Sequence, residues 1–351
     1  MLAPLHHILP LTTIRRERRL PVSGTVYAHL NQRVTPTDVV AETKWSREHV
    51  VIDVARTLHI PVSVADGLIR CKVKDDLAAG TVIATGGGLV RMSIKTPKPG
   101  RVVAVGGGQV LLETGETDIR LRAGMPGVVV DVIPGRGVVI QNFGTLIQGV
   151  WGNGRLGNGT LVNLTEQQDD VFKASGLDVS HRGSIILGGI CQDPESLQAA
   201  GELPVRGLIL SSIHPSLLPL AGQMRYPIMV TDGFGALPMN SAAYKLLSTN
   251  VEREVALNAE AYDRYSGARP EVIIPLPVAQ EPAAPRDVEE FAAGQTVRMR
   301  RPPSLGGIGT ISSLMPGQSI MASGLRTLAA EVKLESGETV LVPLVNLEVV
   351  G

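Results

Sequence analysis

The sequence predicts a multidomain, mainly β protein, with a small parallel α/β unit in its middle and a compact β-barrel at its end. Three observations carry this expectation. Short Val/Ile/Leu runs divided by Gly and Pro recur through the first 165 residues, and their turn spacing suits a sandwich or barrel. From about Asp178 to Asn258, strand-like and helix-like segments alternate. Residues 291–351 hold five short strand patterns and a Ser336-Gly337 turn.

Composition sets the limits. The chain has 351 residues, 44% of them hydrophobic but only 3% aromatic, so its cores must be built from Val, Leu, Ile and Ala. With 39 Gly and 24 Pro it is rich in turns. Lys plus Arg equals Asp plus Glu at 33 each, which argues against a dedicated nucleic-acid or anionic-membrane binder. Cys71 and Cys191 are the only cysteines, a pattern suited to a reducing cytoplasm. The first residues place their apolar side chains before the basic Arg15-Arg16-Glu17-Arg18-Arg19 cluster, the reverse of a signal peptide. No uninterrupted apolar stretch is long enough for a membrane helix. The expectation is a cytoplasmic protein that does not engage a membrane.

The elements follow in order. Residues 1–19 are expected to be an N-terminal tail, with the arginine cluster solvated. Residues 20–165 form the first β domain. Its leading signature is a repeated turn, Pro21-Val22-Ser23-Gly24-Thr25-Val26 and Pro97-Lys98-Pro99-Gly100-Arg101-Val102, with a looser copy at Met125-Pro126-Gly127-Val128. Val51, Val54, Ala55 and Leu58 share one helical face, and Pro61 follows, so one amphipathic helix is expected there. Residues 166–262 form the α/β domain. Asp193-Pro194-Glu195 reads as N-cap, first helical residue and acidic first turn. Strands at Ser184–Ile190, Gly207–Ser211, Pro227–Thr231 and Glu254–Leu257, with helices between them, imply parallel strands and crossovers. Residues 263–290 are expected to be a linker, most Pro- and Ala-rich from Val278 to Glu290. Residues 291–351 form the terminal barrel.

The paired Pro-x-x-Gly-x-Val turns, with Asp38-Val39-Val40-Ala41 and Gly80-Thr81-Val82-Ile83-Ala84, resemble the barrel-sandwich hybrid fold of biotinyl and lipoyl carriers. In that fold two hammerhead halves are quasi-symmetric, which suits the doubling. A cofactor-bearing member presents a lysine at a hairpin tip, and neither Lys95 in Ser-Ile-Lys-Thr nor Lys98 in Pro-Lys-Pro matches that pattern. No cofactor is expected. The C-terminal unit resembles KOW and other SH3-like barrels through Gly294-x-x-Val297-Arg298 and Gly306-Gly307-Ile308-Gly309-Thr310-Ile311. That resemblance implies RNA, ribosomal or transcription partners, with Arg298, Arg300, Arg301, Arg326 and Lys333 as candidate phosphate contacts. Glu331, Glu335, Glu338 and Glu348 nearly cancel these charges, and stacking aromatics are missing. The middle region resembles swivelling β/α/β domains through Ser211-Ser212-Ile213-His214 and the strand that follows. Carriers of that kind hold a phosphorylated histidine at a helix start, but here the preceding Thr is missing and Pro215 follows.

Candidate sites are few. Gly152-Asn153-Gly154-Arg155-Leu156-Gly157 spells the dinucleotide fingerprint, yet Thr160-Leu161-Val162 after it reads as a strand where a helix is required. A glycine-rich β loop fits it better. Trp151 beside it is either an anchor for a partner or a core residue. In open parallel sheets ligands bind at the C-terminal strand edges. A small-molecule site would therefore use Gly188, Gly189, His214, Asp232 and Gly233, with His214 and Asp232 as the catalytic candidates. Ordinary turn chemistry explains the same residues. The histidines show no metal-ligand spacing, and no metal is expected. Cys191 reads as a small buried residue.

Taken together, these features lead to a non-enzymatic scaffold or adaptor that docks a macromolecular, most simply a protein, partner. An enzyme or ligand sensor using His214 and Asp232 is one alternative. An RNA- or ribosome-associated factor acting through the C-terminal barrel is the other.

Overall fold

A computed structural model describes residues 1–87, 91–263, 265 and 267–351. The chain is mainly β, built from several sheets with short helices between strands. The largest sheet runs through most of the molecule. Four of its strands, Leu156–Asn163, Ile185–Cys191, Gly207–Ile213 and Ile228–Phe234, are parallel neighbours in sequence order. The strand Ile185–Cys191 is buried along its whole length, as a sheet covered on both faces requires. Helix Pro194–Glu202 crosses over between the second and third of these strands, and Pro215–Leu217 with Leu218–Gln223 between the third and fourth. Asp193 caps the first helix by accepting from Ser196 N, with Pro194 in the first turn, as its sequence demands.

The next strand, Glu254–Asn258, departs from the expected pattern. It lies antiparallel to Leu156–Asn163 and passes the sheet on to Glu271–Pro275 and then to Gly137–Gln148. One continuous sheet thus joins the α/β region to the first β region, and no break falls at residue 165. Glu271–Pro275 is buried, so the segment expected to be a linker contributes a core strand. Val272 and Ile274 face the same core as Ile147 and Leu257.

The N-terminus is likewise not a tail. Ile8–Arg19 pairs antiparallel with Gly137–Gln148, and Leu5–His6 pairs with Leu347–Val350 of the terminal unit. Ile8 and Ile14 are buried, and Arg16 and Arg18 lie against carboxylates. Arg16 grips Glu271 (2.6 Å) and Arg18 grips Glu260 (2.6 Å). The basic cluster is therefore largely neutralised in place.

The repeated turn marks two complete β units, one carried inside the other, where two halves of a single unit were expected. The outer unit packs Ala28, Val34, Val40, Val129, Val138 and Ile140; the inner unit packs Cys71, Ile83, Ala84, Val102, Val110 and Leu112 around a core of its own. Their backbones repeat bond for bond. Asn31 N donates to Val129 O as Lys74 N donates to Val102 O, and Val129 N donates to Gln32 O as Val102 N donates to Asp75 O. Asn31 (φ 65°) and Lys74 (φ 80°) occupy the same left-handed position. A long two-stranded ribbon, Val39–Asp53 against Gln109–Arg122, carries the inner unit. The helix expected around residues 51–58 starts only at Val54, because Val51 belongs to this ribbon; a second helix, Val62–Leu68, follows it.

The terminal unit contains Thr296–Met299, Ile308–Ile320, Arg326–Leu334, Thr339–Pro343 and Leu347–Val350, with a short 3-10 turn before the last strand. Phe291, Val297, Ile311, Val332 and Leu347 fill it.

Candidate functional site

The C-terminal edges of the parallel strands are where a ligand would sit in such a sheet. Each of the last three strands bulges there: the pairing slips at Gly188, at Ser211 and at Thr231-Asp232. These bulges re-aim the backbone where the sequence placed its candidate residues.

The bulged edge is closed by the protein itself. Gly189 has φ 74°, and a Cβ there would run into the carbonyl of Asp170. The segment at Asp170–Phe172 lies across the turn, Ile190 N donating to Asp170 O (2.8 Å) and Phe172 N to Ile190 O (2.8 Å). A Cβ on Gly188 would meet the Phe172 ring. Over the next strand, Ser212 Oγ donates to Leu237 O (2.8 Å) and accepts from Leu237 N (2.9 Å). A Cβ on Gly233 would meet Leu237 as well. The glycines therefore admit covering loops where a small-molecule ligand was the alternative.

His214 and Asp232 have separate environments. His214 is exposed, caps Pro215–Leu217 and has Ser216 Oγ 2.8 Å from its Nδ1. Asp232 is only 3% exposed and is spent on structure. Thr231 Oγ1 (2.7 Å) and Asn240 N (3.1 Å) donate to its Oδ2, and Arg298 donates to its Oδ1 (3.3 Å). Burial pushes the Asp232 carboxyl up, while Arg298 and the two other donors pull it back down. Ser211 Oγ beside it is buried without a hydrogen-bond partner.

Arg298, expected to face phosphate, is turned inward. Its guanidinium also donates to Glu348 Oε2 (2.7 Å), to Thr231 O (3.2 Å) and toward His6 Nδ1 (3.4 Å). Arg269 completes the cluster on Glu348 Oε1 (2.6 Å). Burial pushes the His6 imidazole down to about 3, helped by Arg298, so it is neutral and its Nδ1 can accept a hydrogen bond from the guanidinium. Burial alone would raise Glu348, but the cationic groups facing it, His6 when charged, Arg298 and Arg269, outweigh this and hold it down to about 2. This buried network ties together the N-terminal strand, the parallel sheet and the terminal β unit. The sequence signal for it was weak: an Arg on a strand, an Asp in a turn and a near-terminal His, far apart along the chain.

The remaining basic candidates do not converge. Arg300 and Arg301 are exposed in the loop after Thr296–Met299. Arg326 and Lys333 lie at opposite ends of one strand, about 23 Å apart at the usual rise per residue. Gly152–Gly157 starts no helix; it links Trp151–Gly152, paired with Val230 and Met229, to the strand Leu156–Asn163. Trp151 packs half-buried against the core that includes Val230. Two open clefts stand out elsewhere, both on the inner unit, one around Asp53, Arg56 and His59 and one around Asp76, Pro99 and Arg101.

Among the described residues no group of three or more His, Cys, Asp or Glu is placed to hold a metal, and no helix is long and apolar enough to cross a membrane. Neither the known family models nor the curated proteins contain a match to this chain.

Proposed function

We propose that this protein is a non-enzymatic scaffold or adaptor that presents β-barrel surfaces to a macromolecular partner. The observation that carries the proposal is the fate of the strand edge. Its glycines are occupied by the protein's own loops, and its carboxylate, Asp232, is bound to Arg298 and Asn240. A catalytic carboxylate needs access to a substrate, and Asp232 has none. His214 is left exposed with only Ser216 as partner, which is ordinary capping.

The finer assignments belong to the same proposal. The nested units of the first region are two barrel-sandwich hybrids, the parallel sheet is a swivelling-type domain, and the terminal unit is a KOW- or SH3-like barrel. For the last, the support is a short 3-10 turn, Leu344–Asn346, between its final two strands. Several large side chains on that barrel face solvent, among them Ile320, Leu325 and Val345, each more than 60% exposed. Exposed apolar groups grouped on one module suit docking. The protein is assigned to the cytoplasm on the same footing, from its two free, buried cysteines.

The test is crosslinking mass spectrometry on native extract containing the full chain. The scaffold reading expects stoichiometric partner crosslinks that map to Lys333 or to the inner unit's lysines. Turnover of a substrate by the purified protein, lost in His214→Ala, would replace it with the enzyme reading.

A further inference from the structure

The chain is neutral as a whole, but its charge is not evenly spread. Between Val54 and Gly108 the sequence holds eight Lys or Arg against three Asp or Glu. That segment is the inner unit, carried on the ribbon around its own core. Several of these cations are exposed and form no ion pair among the described residues, namely Arg70, Lys72, Lys74 and Lys95. Two others are paired, Lys98 with Glu48 and Arg101 with Asp76.

The outer unit shows that the fold does not need these charges. The turn at 28–34 repeats the turn at 71–77. His29 N donates to Gln32 Oε1 as Lys72 N donates to Asp75 Oδ2, and Gln32 N donates to His29 O as Asp75 N donates to Lys72 O. The following strands match too, Val34 against Gly127 and Leu77 against Gly100. At the positions of Arg70, Lys72 and Lys74 the outer unit has Tyr27, His29 and Asn31. The contrast is sharpest at the left-handed position. Asn31 is of a residue type enriched at φ > 0, whereas Lys74 is not. A cation stands there against backbone preference.

We propose that the Arg70-Lys72-Lys74 turn of the inner unit, with Lys95, is a contact surface for the phosphate backbone of a nucleic acid, without sequence readout. Unpaired lysines and arginines are all that phosphate contact requires. The segment between Val54 and Gly108 contains no Phe, Trp or Tyr, so base stacking is excluded from the design. The same lack disfavours an anionic membrane, because interfacial binding also buries large apolar or aromatic side chains. The exposed apolar groups here are valines, chiefly Val62, Val64 and Val73, and one methionine, Met92, with no aromatic among them. This proposal does not depend on the scaffold reading; an enzyme could carry the same arm.

The test uses the full chain and fluorescence anisotropy with a labelled random-sequence 20-mer duplex at 50 and 200 mM salt. Binding should weaken steeply with salt. The variant Arg70→Gln/Lys72→Gln/Lys74→Asn should bind at least tenfold more weakly at the lower salt. Its log–log salt slope should fall by roughly 2–3, since each lost phosphate contact is worth about 0.9 on a duplex. Its melting temperature should not drop, because Asn is the outer unit's own residue at that position. The control Arg326→Gln/Lys333→Gln should bind like the wild type. No binding by the wild type at 50 mM salt overturns the proposal. So does binding that survives the triple variant, that is lost in the control, or that is seen only with phosphatidylserine vesicles.

Discussion

Arg298 of the terminal β unit donates to Asp232 of the parallel sheet across 3.3 Å, with both side chains at most 5% exposed. The same guanidinium holds Glu348 at 2.7 Å, so one cation serves two buried carboxylates from different parts of the fold. Removing it leaves Asp232 without a counter-charge and Glu348 with Arg269 alone. Breaking a buried pair from one side typically costs about 3–5 kcal/mol. Arg298→Ala should therefore lower the unfolding free energy by that order, read as a lower urea midpoint at unchanged slope. Arg298→Lys should recover little, because a single ammonium cannot reproduce a fork spanning Asp232, Thr231 and Glu348. Combining Arg298→Ala with Asp232→Asn should cost less than the sum of the two. Strict additivity would show that the pair does not couple the domains.

His6 gives the network a pH signature. Its folded value lies near 3, below the ordinary 6.5, so the unfolded chain takes up the proton first as pH falls. Its contribution to stability is complete above pH 6.5 and is lost progressively toward pH 3. Glu348, held near 2, contributes fully above about 4.5 and loses that as pH falls toward 2. Asp232 is raised and acts with the opposite sign, recovering part of the loss in acid. Between pH 6.5 and 4.5 His6 contributes a slope approaching about 1.4 kcal/mol per pH unit, against which Asp232 acts with the opposite sign. Denaturant melts at pH 7, 6 and 5 should show it. The His6→Gln curve should be flatter across that window; if it runs parallel to the wild type, the imidazole is not the titrating group.

Local signals in this sequence were legible and long-range ones were not. The Asp193-Pro194 cap, the three buried parallel strands and the Ser336-Gly337 hairpin all follow from short-range chemistry, and the fold contains each of them. The Pro-x-x-Gly repeat announced duplication, but a motif cannot say whether its copies make one unit or two. That depends on Val39–Asp53 finding Gln109–Arg122 across the whole inner unit. The arginine cluster looked solvated because Glu260 and Glu271 lie some 240 to 255 residues away. Arg298 was expected outside for the same reason: two of its three side-chain neighbours, Asp232 and His6, are remote in sequence, and Glu348 alone lies in its own unit.

Both cysteines should be unreactive in the native protein. Cys71 and Cys191 are free and buried, and burial, reinforced by Asp193, pushes the Cys191 thiol up to about 12. Thiolate is the reactive form, and almost none exists at neutral pH. Iodoacetamide should label neither residue in buffer and both in denaturant. Native labelling of Cys191 would mean that the covering helix Pro194–Glu202 opens.

The inner unit should unfold as a separate body, and its glycines test that. A Cβ on Gly100 would enter the carbonyl of Glu113 and crowd Leu112 and Thr114. The equivalent close approach in the outer unit is Gly127 against Gln141. Gly100→Ala should destabilise by roughly 1–3 kcal/mol through forced backbone shifts. Because the inner core shares no buried member with the outer one, the loss should appear in amides of residues 69–112 and spare those of 128–147. Gly67 is the contrast. It lies near the end of helix Val62–Leu68 with open space around its Cα, so Gly67→Ala should stabilise the same unit by up to about 1 kcal/mol. Hydrogen exchange on the two variants reads both signs in one experiment. Equal loss of protection in both units after Gly100→Ala would show that the ribbon transmits stability between them, and the two units would then count as one cooperative domain.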